Sequence, residues 1–340
     1  MAGVLSRFGK VALLMGLGMV AAGPAVASGG GLSGPGYRYY EIGNLDAPRP
    51  QPTQAAMLLM GGGDWVPEAF HWWVERAGHG RVVVLRASGD DDLQRELYRD
   101  IGGVTAVQTL VFDSRKAADD PAVLRVVRGA DAIFIAGGDQ SRYIRFWKGT
   151  ELNRALNEHV AAGKPIGGTS AGLAILGGYS YGALDGGSIN SRTALRDPMG
   201  SGVTMDHDFL ALPYLSNVVT DTHFAKRERL GRLIVFVARA AQEKGRDDVV
   251  GIGVDEDAAL CVEADGSGRV YSLDDGYAWL VMPHRSADRL SNGQALEFNS
   301  VPVTGVGVGS RLQLDGFRVD DAAFTAMASV IDGELVLQPQ

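Results

Sequence analysis

"PIGGTSAGL", residues 165–173, places a single serine between glycines directly after a short apolar run. Its core "GGTSAG" fits the pattern G-x-S-x-G, in which a strand turns sharply into a helix and exposes a serine hydroxyl above the sheet. Such a turn brings the serine to the carboxyl end of a strand, where open α/β sheets bind ligands. The stretch alone leaves two interpretations of Ser170 open: a nucleophile, or a polar residue in a glycine-rich bend.

The region around this stretch has the pattern of an α/β protein. From Ala56 onwards, short apolar runs that end in glycine alternate with amphipathic stretches. Uninterrupted apolar strands between amphipathic helices predict a mostly parallel sheet sandwiched by helices. Five strands of this kind are predicted at "AAMLLMGGGD", "RVVVLRAS", "VQTLVFD", "DAIFIAGGDQ" and "KPIGG". A polar, irregular stretch after Gly178 is typical of an active-site loop, and helical and strand patterns resume beyond it.

Both ends of the chain differ from this α/β region. Residues 1–27 combine Arg7 and Lys10, a short apolar run and the small residues "AVA", which are the three parts of a secretory signal peptide. The apolar run is too short to span a bilayer core of about 30 Å. We therefore predict cleavage after Ala27, export to the periplasm or the medium, and no membrane association afterwards.

The predicted organisation has four parts. The signal peptide at 1–27 precedes an N-terminal arm at 28–54, in which "YRYYEIG" is one edge strand. A catalytic α/β domain follows at 55–283. Only short β-like pieces are visible in residues 284–340, which we expect to form a small β-rich extension.

Composition excludes some classes of function. The chain has 340 residues and a net charge of −8, and it therefore lacks the basic surface that a nucleic-acid-binding protein needs. Its single cysteine, Cys261, cannot form an intramolecular disulfide, so that the core must provide the stability. Because Cys261 lies in the alternating run "AALCVEA", we interpret it as a strand residue and not as a nucleophile.

A nucleophilic serine needs a base and a group that orients the base. Of six histidines, only His223 in "VVTDTHFAKRERLGR" lies where an apolar strand meets a helix, at the sheet edge predicted for Ser170. "GIGVDEDAAL" offers Asp255, Glu256 and Asp257 just past another buried strand. The residues alone leave open which of these three acids would orient the histidine.

No metal or cofactor is predicted. The sequence has no H-E-x-x-H, C-x-x-C or clustered histidine spacing. The acids of "GDDD" at 89–92 are typical of a helix N-terminus. The glycine-rich stretches 61–64 and 137–140 lack the Lys-Ser/Thr of a phosphate-binding loop.

Four motifs taken together carry a resemblance. "AGGDQ", "PIGGTSAG", "DTHFAKRERLGRL" and "GIGVDEDAAL", in this order, resemble the cyanophycinase and dipeptidase E family of serine peptidases, with the third motif closest to cyanophycinase. The resemblance extends from roughly residue 55 to 283. It implies a fold like that of class I glutamine amidotransferases.

The resemblance also implies roles for individual residues. Ser170 would be the nucleophile, His223 the general base and then acid, and Glu256 the residue that orients His223. The N–H groups of Ala171 and Gly138 would form the oxyanion hole. Family substrates are β-linked Asp–Arg peptides or Asp-containing dipeptides, so that arginines could pair with a substrate carboxylate and Asp221 with a guanidinium. The positions implied in substrate recognition are Gln140, Asp221, Arg227, Arg229 and Arg232.

One departure from the family pattern bears on the substrate. Thr222 stands where cyanophycinases commonly have glutamine, and its shorter side chain cannot make the same contact. Three tryptophans are also close together, and they belong either to the core or to a stacking wall of the pocket: Trp65, Trp72 and Trp73.

Two rival functions remain. An α/β-hydrolase esterase would have its triad in the order serine, acid, histidine, whereas here the best-placed histidine precedes the acids. A binding protein could keep the same scaffold without turnover. The leading hypothesis is an exported serine peptidase that hydrolyses cyanophycin or related β-aspartyl peptides, with a peptide as its partner and a homodimer as one option for its assembly.

Overall fold

Two mixed β-sheets form the frame of residues 33–340, the part of the chain that the computed structural model describes. The predicted signal peptide and its cleavage site lie outside the described residues. None of the described helices is long and apolar enough to cross a membrane.

The first sheet has a parallel centre with antiparallel strands on both sides. Its eleven strands are, in spatial order, β1 (Ser33–Gly34), β2 (Tyr37–Gly43), β5 (Ala106–Phe112), β4 (Arg81–Arg86), β6 (Ala132–Ile135), β7 (Ile166–Thr169), β3 (Ala56–Met60), β12 (Ala258–Glu263), β13 (Ser267–Ser272), β16 (Arg311–Gln313) and β17 (Arg318–Asp320). The five strands from β5 to β3 run parallel, and they include all five that the sequence predicts.

The second sheet is parallel only around β10. Its eight strands are, in spatial order, β19 (Glu334–Pro339), β18 (Phe324–Ile331), β15 (Phe298–Val306), β14 (Ala278–Val281), β11 (Val250–Val254), β10 (Val218–Asp221), β8 (Tyr179–Tyr181) and β9 (Met205–His207). Strand β10 pairs parallel with β11 and with β8, and the remaining pairs are antiparallel.

Seven α-helices cover these sheets within the described residues. Several begin at residues whose side chains satisfy free N–H groups, such as Asp120, Asp139 and Thr150. The last and longest helix ends at Gly245, which has a left-handed φ of 64°. The helices are α1 (Pro67–Arg76), α2 (Asp92–Glu96), α3 (Pro121–Arg128), α4 (Gln140–Trp147), α5 (Glu151–Ala161), α6 (Ser191–Arg196) and α7 (Leu230–Lys244), with a π turn at Leu97–Ile101 and 3₁₀ turns at Arg115–Asp119 and Ser170–Ile175.

The first sheet is buried on both faces. Along β4, Val83 and Leu85 belong to one hydrophobic cluster, whereas Val82 and Val84 belong to a second cluster. Successive strand residues point to opposite faces, so that both faces of the sheet are covered. This arrangement confirms the predicted α/β class.

The C-terminal residues are rich in β-strands and continue both sheets. Strands β15, β18 and β19 continue the second sheet beyond β14, and β16 and β17 continue the first sheet beyond β13. The predicted strand "YRYYEIG" is present as β2, paired along its whole length with β5. Helix α4, which the sequence analysis did not predict, begins at Gln140, the last residue of "AGGDQ".

Candidate active site

Ser170 lies on a turn that glycines make sterically feasible. It directly follows β7, opens the 3₁₀ turn Ser170–Ile175 and has a φ of 51°, in the left-handed region that a non-glycine residue seldom adopts. A Cβ at Gly172 would lie 2.0 Å from the carbonyl oxygen of Ile135, and one at Gly168 would lie 2.7 Å from the carbonyl carbon of Gly172. Strand and turn pack so closely that only glycine fits at these two positions.

His223 lies on a second strained turn, shortly after β10. Its φ is 46°, and its N–H donates to the carbonyl oxygen of Gly61 at 2.8 Å. The backbone of Gly62 packs against the imidazole, because a Cβ there would lie only 2.2 Å from His223 Cε1. The glycine loop after β3 therefore fixes the position of the imidazole.

Ser170, His223 and Glu256 form a continuous hydrogen-bonded chain. The distance between Ser170 Oγ and His223 Nε2 is 2.6 Å, and that between His223 Nδ1 and Glu256 Oε1 is also 2.6 Å. Because an ionised carboxylate only accepts hydrogen bonds, Nδ1 carries the proton and Nε2 of the neutral ring can accept the serine proton. This is the geometry of a nucleophile, a base and an orienting acid.

The pKa values of His223 and Glu256 suit this arrangement. Burial lowers the pKa of His223 below its usual 6.5, and the nearby Arg227 and Arg229 lower it further, although the hydrogen bond to Glu256 opposes them. Burial raises the pKa of Glu256, but hydrogen bonds from Lys226 and His223 outweigh it, so that the pKa is lowered overall. Near neutral pH the imidazole is therefore neutral and the carboxylate is charged.

The structure distinguishes the three acids that the sequence left open. Glu256 alone reaches His223, whereas its two neighbours bind backbone groups. The Asp255 carboxylate accepts from the N–H of Ala225 at 2.8 Å, and Asp257 Oδ1 accepts from the N–H of Asp64 at 2.6 Å. These contacts hold the loop between β11 and β12 in place around Glu256.

The loop predicted to supply an oxyanion donor lies against the serine. A Cβ at Gly137 would lie 3.4 Å from Ser170 Cβ, and Gly138, with a φ of 143°, is exposed beside it. Within residues 33–340 the N–H of Gly138 donates to no protein acceptor. Ala171 is in the first turn of the 3₁₀ segment, where N–H groups have no carbonyl partner in the turn. Gln140 begins α4 after this loop and is half-buried.

Asp221 and Arg232, both predicted to take part in substrate recognition, pair with each other. Arg232 Nε and Nη2 donate to the two carboxylate oxygens of Asp221 at 2.8 and 2.5 Å, and both residues are 2% exposed. Arg232 Nη1 also donates to Ser188 Oγ and to the carbonyl oxygen of Ile189. This differs from the expected roles, because the guanidinium that meets Asp221 is the protein's own. The pair ties the loop after β8 to the strand that precedes His223.

The other two predicted arginines differ in exposure. Arg229 is 7% exposed and donates from Nη1 to the carbonyl oxygen and the hydroxyl of Thr222, at 2.8 and 3.1 Å. Burial lowers its pKa to about 10, and Asp221 opposes this shift. The Arg227 side chain is 51% exposed, and its Nε lies 3.9 Å from Glu256 Oε1. Arg227 is therefore the more accessible of these two.

A cavity at the end of β7 was missed by the sequence analysis. It has a volume of about 370 Å³ and reaches Thr169, the residue before Ser170. The indole of Trp65 stacks on Phe134, with ring centroids 5.9 Å apart, and its Nε1–H donates to Glu96. The residues that line the cavity are Met60, Gly63, Asp64, Trp65, Leu93, Glu96, Asp100, Phe134 and Thr169.

The cavity combines an aromatic wall with unpaired acids. No cationic side chain of the described residues forms an ion pair with Asp64, Glu96 or Asp100. Glu96 and Asp100 are four residues apart, and this i, i+4 spacing was the signal in the sequence that could have placed both on one helix face.

The three tryptophans have separate roles. Only Trp65 lines the cavity. Trp73 is fully buried in the core, and Trp72 donates to Glu263 on the far side of α1.

Three side chains that the sequence analysis set apart from catalysis lie elsewhere. Cys261 is buried in β12, and burial raises the pKa of its thiol well above the usual value. In the stretch 89–92, Asp91 and Asp92 form ion pairs with Arg95 at the start of α2.

Comparisons with known proteins identify the family of this chain. Residues 94–269 match peptidase family S51. The chain is 33% identical over 192 residues to a cyanophycinase of Synechococcus elongatus, which is 55% of this chain and 54% of that protein. It is 27% identical over 233 residues to a cyanophycinase of Trichormus variabilis, covering 66% and 72% of the two chains. The chain thus spans about half the length of the first of these relatives.

One solved structure supports the fold. A peptidase from an acI-B1 Actinobacterium superposes with a TM-score of 0.50 at 18% identity, over 66% of this chain and 90% of that chain. The order serine, histidine, acid along the chain also differs from the order in α/β-hydrolases. These findings confirm the resemblance drawn from the four motifs: the chain belongs to peptidase family S51.

Proposed function

We propose that this protein is a serine peptidase in which Ser170, His223 and Glu256 act together. The observation that carries the proposal is the unbroken chain of two 2.6 Å hydrogen bonds from the serine hydroxyl through the imidazole to the carboxylate. A glycine-rich bend without catalytic use would give no reason for two strained residues, Ser170 and His223, to meet at this distance.

The chemistry follows from the positions of the protons. Ser170 Oγ attacks the scissile carbonyl carbon while its proton moves to His223 Nε2, and the C–N bond then breaks as Nε2 returns that proton to the leaving amine. Water attacks the resulting ester, gives one proton to His223, and the serine leaves with that proton. Glu256 stays ionised throughout and stabilises the imidazolium that forms twice in each cycle.

The negative oxygen of the intermediate needs N–H donors. We assign this role to Ala171, at the start of the 3₁₀ turn, and to Gly138, whose N–H is free of protein acceptors in the described part of the chain. Gly137 approaches the serine closely, since a Cβ there would lie 3.4 Å from Ser170 Cβ. This approach brings the second donor to the same side of the nucleophile.

The substrate class we propose is cyanophycin or a related β-aspartyl peptide that carries a cationic side chain. Relatives named cyanophycinase support this choice. The cavity beside Thr169 also supports it, since an aromatic wall next to unpaired carboxylates suits a guanidinium or an ammonium group. Arg227, exposed near Glu256, is the predicted arginine best able to meet a substrate carboxylate.

The first experiment tests the nucleophile. Ser170→Ala should lower the turnover of β-Asp-Arg by roughly 10⁴-fold or more, because the attacking oxygen is lost. Circular dichroism should show an unchanged fold. Turnover retained in the variant would exclude the mechanism, whereas an active wild-type protein that cleaves p-nitrophenyl esters but no β-aspartyl peptide would favour an esterase. A wild-type protein without any turnover or serine labelling would favour a binding protein.

The second experiment tests the cavity. Glu96→Gln keeps an acceptor for the Trp65 indole but removes the charge, and we expect the preference for β-Asp-Arg over β-Asp-Leu, as a ratio of kcat/KM, to fall about tenfold. Glu68→Gln, an exposed position in the first turn of α1, is the matched control and should leave the ratio unchanged. A ratio unaffected by Glu96→Gln would show that the cationic group binds elsewhere.

Export is the remaining part of the proposal. The residues that support it are Arg7, Lys10, the apolar run and "AVA" at 25–27. Amino-terminal sequencing of the protein recovered from its source cells should show a chain that begins at Ser28, and an intact Met1 would contradict export by this route. Dimerisation stays a prediction.

A further inference from the structure

Lys226 contacts the outer oxygen of the acid in the hydrogen-bonded chain. Its Nζ donates to Glu256 Oε2 at 2.5 Å, while Glu256 Oε1 accepts from His223 Nδ1 at 2.6 Å. One carboxylate is thus held from both sides by two residues only three positions apart. A hydrogen bond to an ionised carboxylate is stronger than one between neutral groups, and two of them fix the rotation of the Glu256 carboxylate.

The backbone in this region does not depend on the lysine side chain. The segment after β10 is joined to the end of β11 by the N–H of Phe224, which donates to the carbonyl oxygen of Val254 at 3.2 Å, and by the N–H of Ala225, which donates to Asp255. The Lys226 side chain is itself 70% exposed. A change at Lys226 therefore alters the environment of Glu256 without removing packing from the core.

The surroundings of Glu256 are strongly acidic. A cavity of about 420 Å³ lies on the outer side of its carboxylate, and Lys226 is the one cationic residue among those that line it. On the inner side, Arg227 lies 3.9 Å from Oε1, and the charge of Arg229 also acts on the imidazole. The carboxylates that line the cavity besides Glu256 are Asp255, Asp257, Asp274 and Asp275, and Asp64 lies next to Asp257.

We propose that Lys226 is a positioning residue for the Ser170–His223–Glu256 chain, which holds the outer oxygen of Glu256 and offsets the carboxylates around it. The expected change in turnover rests on the proposed function, whereas the expected change in the titration of His223 rests on the geometry alone. Without the ammonium group, the negative charge near the imidazole is no longer balanced, and the imidazolium form of His223 becomes more stable. The carboxylate is also free to rotate away from Nδ1.

The decisive measurement is the titration of His223 by NMR, in protein labelled with ¹³C at histidine and with the signal assigned by its loss in His223→Gln. Lys226→Met keeps the length of the side chain and removes the charge, and the midpoint should rise by about half a pH unit. Lys226→Arg should restore it. Lys116→Met, which removes an exposed lysine from the 3₁₀ turn Arg115–Asp119, is the matched control and should not move it.

Kinetics supply the second readout. In Lys226→Met we expect kcat to fall on the order of tenfold with KM nearly unchanged, because only the orientation of the base is lost. The acidic limb of kcat/KM should move to higher pH by the same half unit, approximately. An unmoved titration of His223 in Lys226→Met overturns the inference, whatever the peptide assays show. If the wild-type protein cleaves no peptide but the titration of His223 shifts as expected in Lys226→Met, the proposed function alone is refuted.

Discussion

The two sheets contribute to the site in different ways. The first sheet supplies Ser170, at the end of β7, on a turn that steric contacts between glycines and neighbouring backbone determine. The second sheet supplies His223 and Glu256, which follow β10 and β11. Beneath the serine the interior is apolar on both faces of the sheet, whereas beside the histidine the second sheet buries the ion pair of Asp221 and Arg232.

This difference teaches that one hydrogen-bonded chain depends on two kinds of support. Apolar packing and close backbone contacts hold Ser170, and a network of charges holds His223. The loop Gly61–Gly62, which follows β3 of the first sheet, is where the first kind of support meets His223 of the second. Each region should therefore respond to a different perturbation.

The largest effect is expected from the buried ion pair of the second sheet. Arg232→Met leaves the Asp221 carboxylate buried without its bidentate partner and should lower the free energy of unfolding by about 3–5 kcal/mol. Urea denaturation measures this change. Arg246→Met removes an equally bidentate but exposed pair with Asp248, and it should leave the free energy almost unchanged. Equal effects of the two variants would show that burial does not distinguish the pairs.

A fall in pH should destabilise the region of the first sheet through one buried histidine. His159 of α5 contacts the carbonyl oxygen of Pro165, one residue before β7, and burial lowers its pKa to about 4 from 6.5. The unfolded chain binds this proton at higher pH than the folded one, so that stability is complete above pH 6.5 and is lost as the pH falls towards 4. The loss from this residue should total about 3 kcal/mol.

The variant His159→Gln isolates this contribution. Glutamine can still donate to the Pro165 carbonyl oxygen but does not titrate. Urea unfolding at several pH values between 6.5 and 4 should give a shallower pH dependence for the variant than for the wild type. Identical slopes would exclude His159 as the source of the acid sensitivity.

The smallest of the three effects is expected from the loop Gly61–Gly62, where the first sheet contacts His223. In Gly62→Ala the new Cβ would lie 2.2 Å from His223 Cε1, so that the imidazole must move away from Ser170. We expect kcat/KM to fall roughly 100-fold while most of the fold remains. Gly293→Ala shares the positive φ, 70°, but meets nothing within 4 Å, and it serves as the control for backbone strain alone. A similar loss of activity in both variants would contradict the role of the contact.

The first sheet could be predicted well from the sequence, because its signals are local. The strand before Ser170 and the glycines around it lie within nine residues, and the central strands β3, β4 and β6 are largely apolar runs. The turn at Ser170 follows from sterics between adjacent residues, which a short pattern records. His223 was expected at the same sheet edge as Ser170, and this was wrong, because it follows β10 of the second sheet and meets the serine across the loop Gly61–Gly62.

The second sheet could be predicted only in part, because its arrangement depends on contacts between distant residues. Asp221 was expected to meet a substrate, but its partner is Arg232, eleven residues further along the chain. Burial of both side chains makes this pairing necessary. The C-terminal strands pair with β14 and β13, and no local pattern indicates which sheet an isolated strand will join. The residues alone did not choose among Asp255, Glu256 and Asp257, whereas the family resemblance implied Glu256, the acid that contacts His223.

The acidic loop between β11 and β12 has a consequence for how such chains diverge. Asp255 and Asp257 hold backbone groups of other segments, and they are needed wherever the fold is kept. The Glu256 carboxylate instead contacts side chains, namely those of His223, Lys226 and Arg227. A descendant in which hydrolysis is no longer selected should therefore retain both aspartates while the residue between them drifts. A homologue with aspartates at these two positions but no acid between them would be identified by this one position as a protein that has kept the scaffold and lost the reaction.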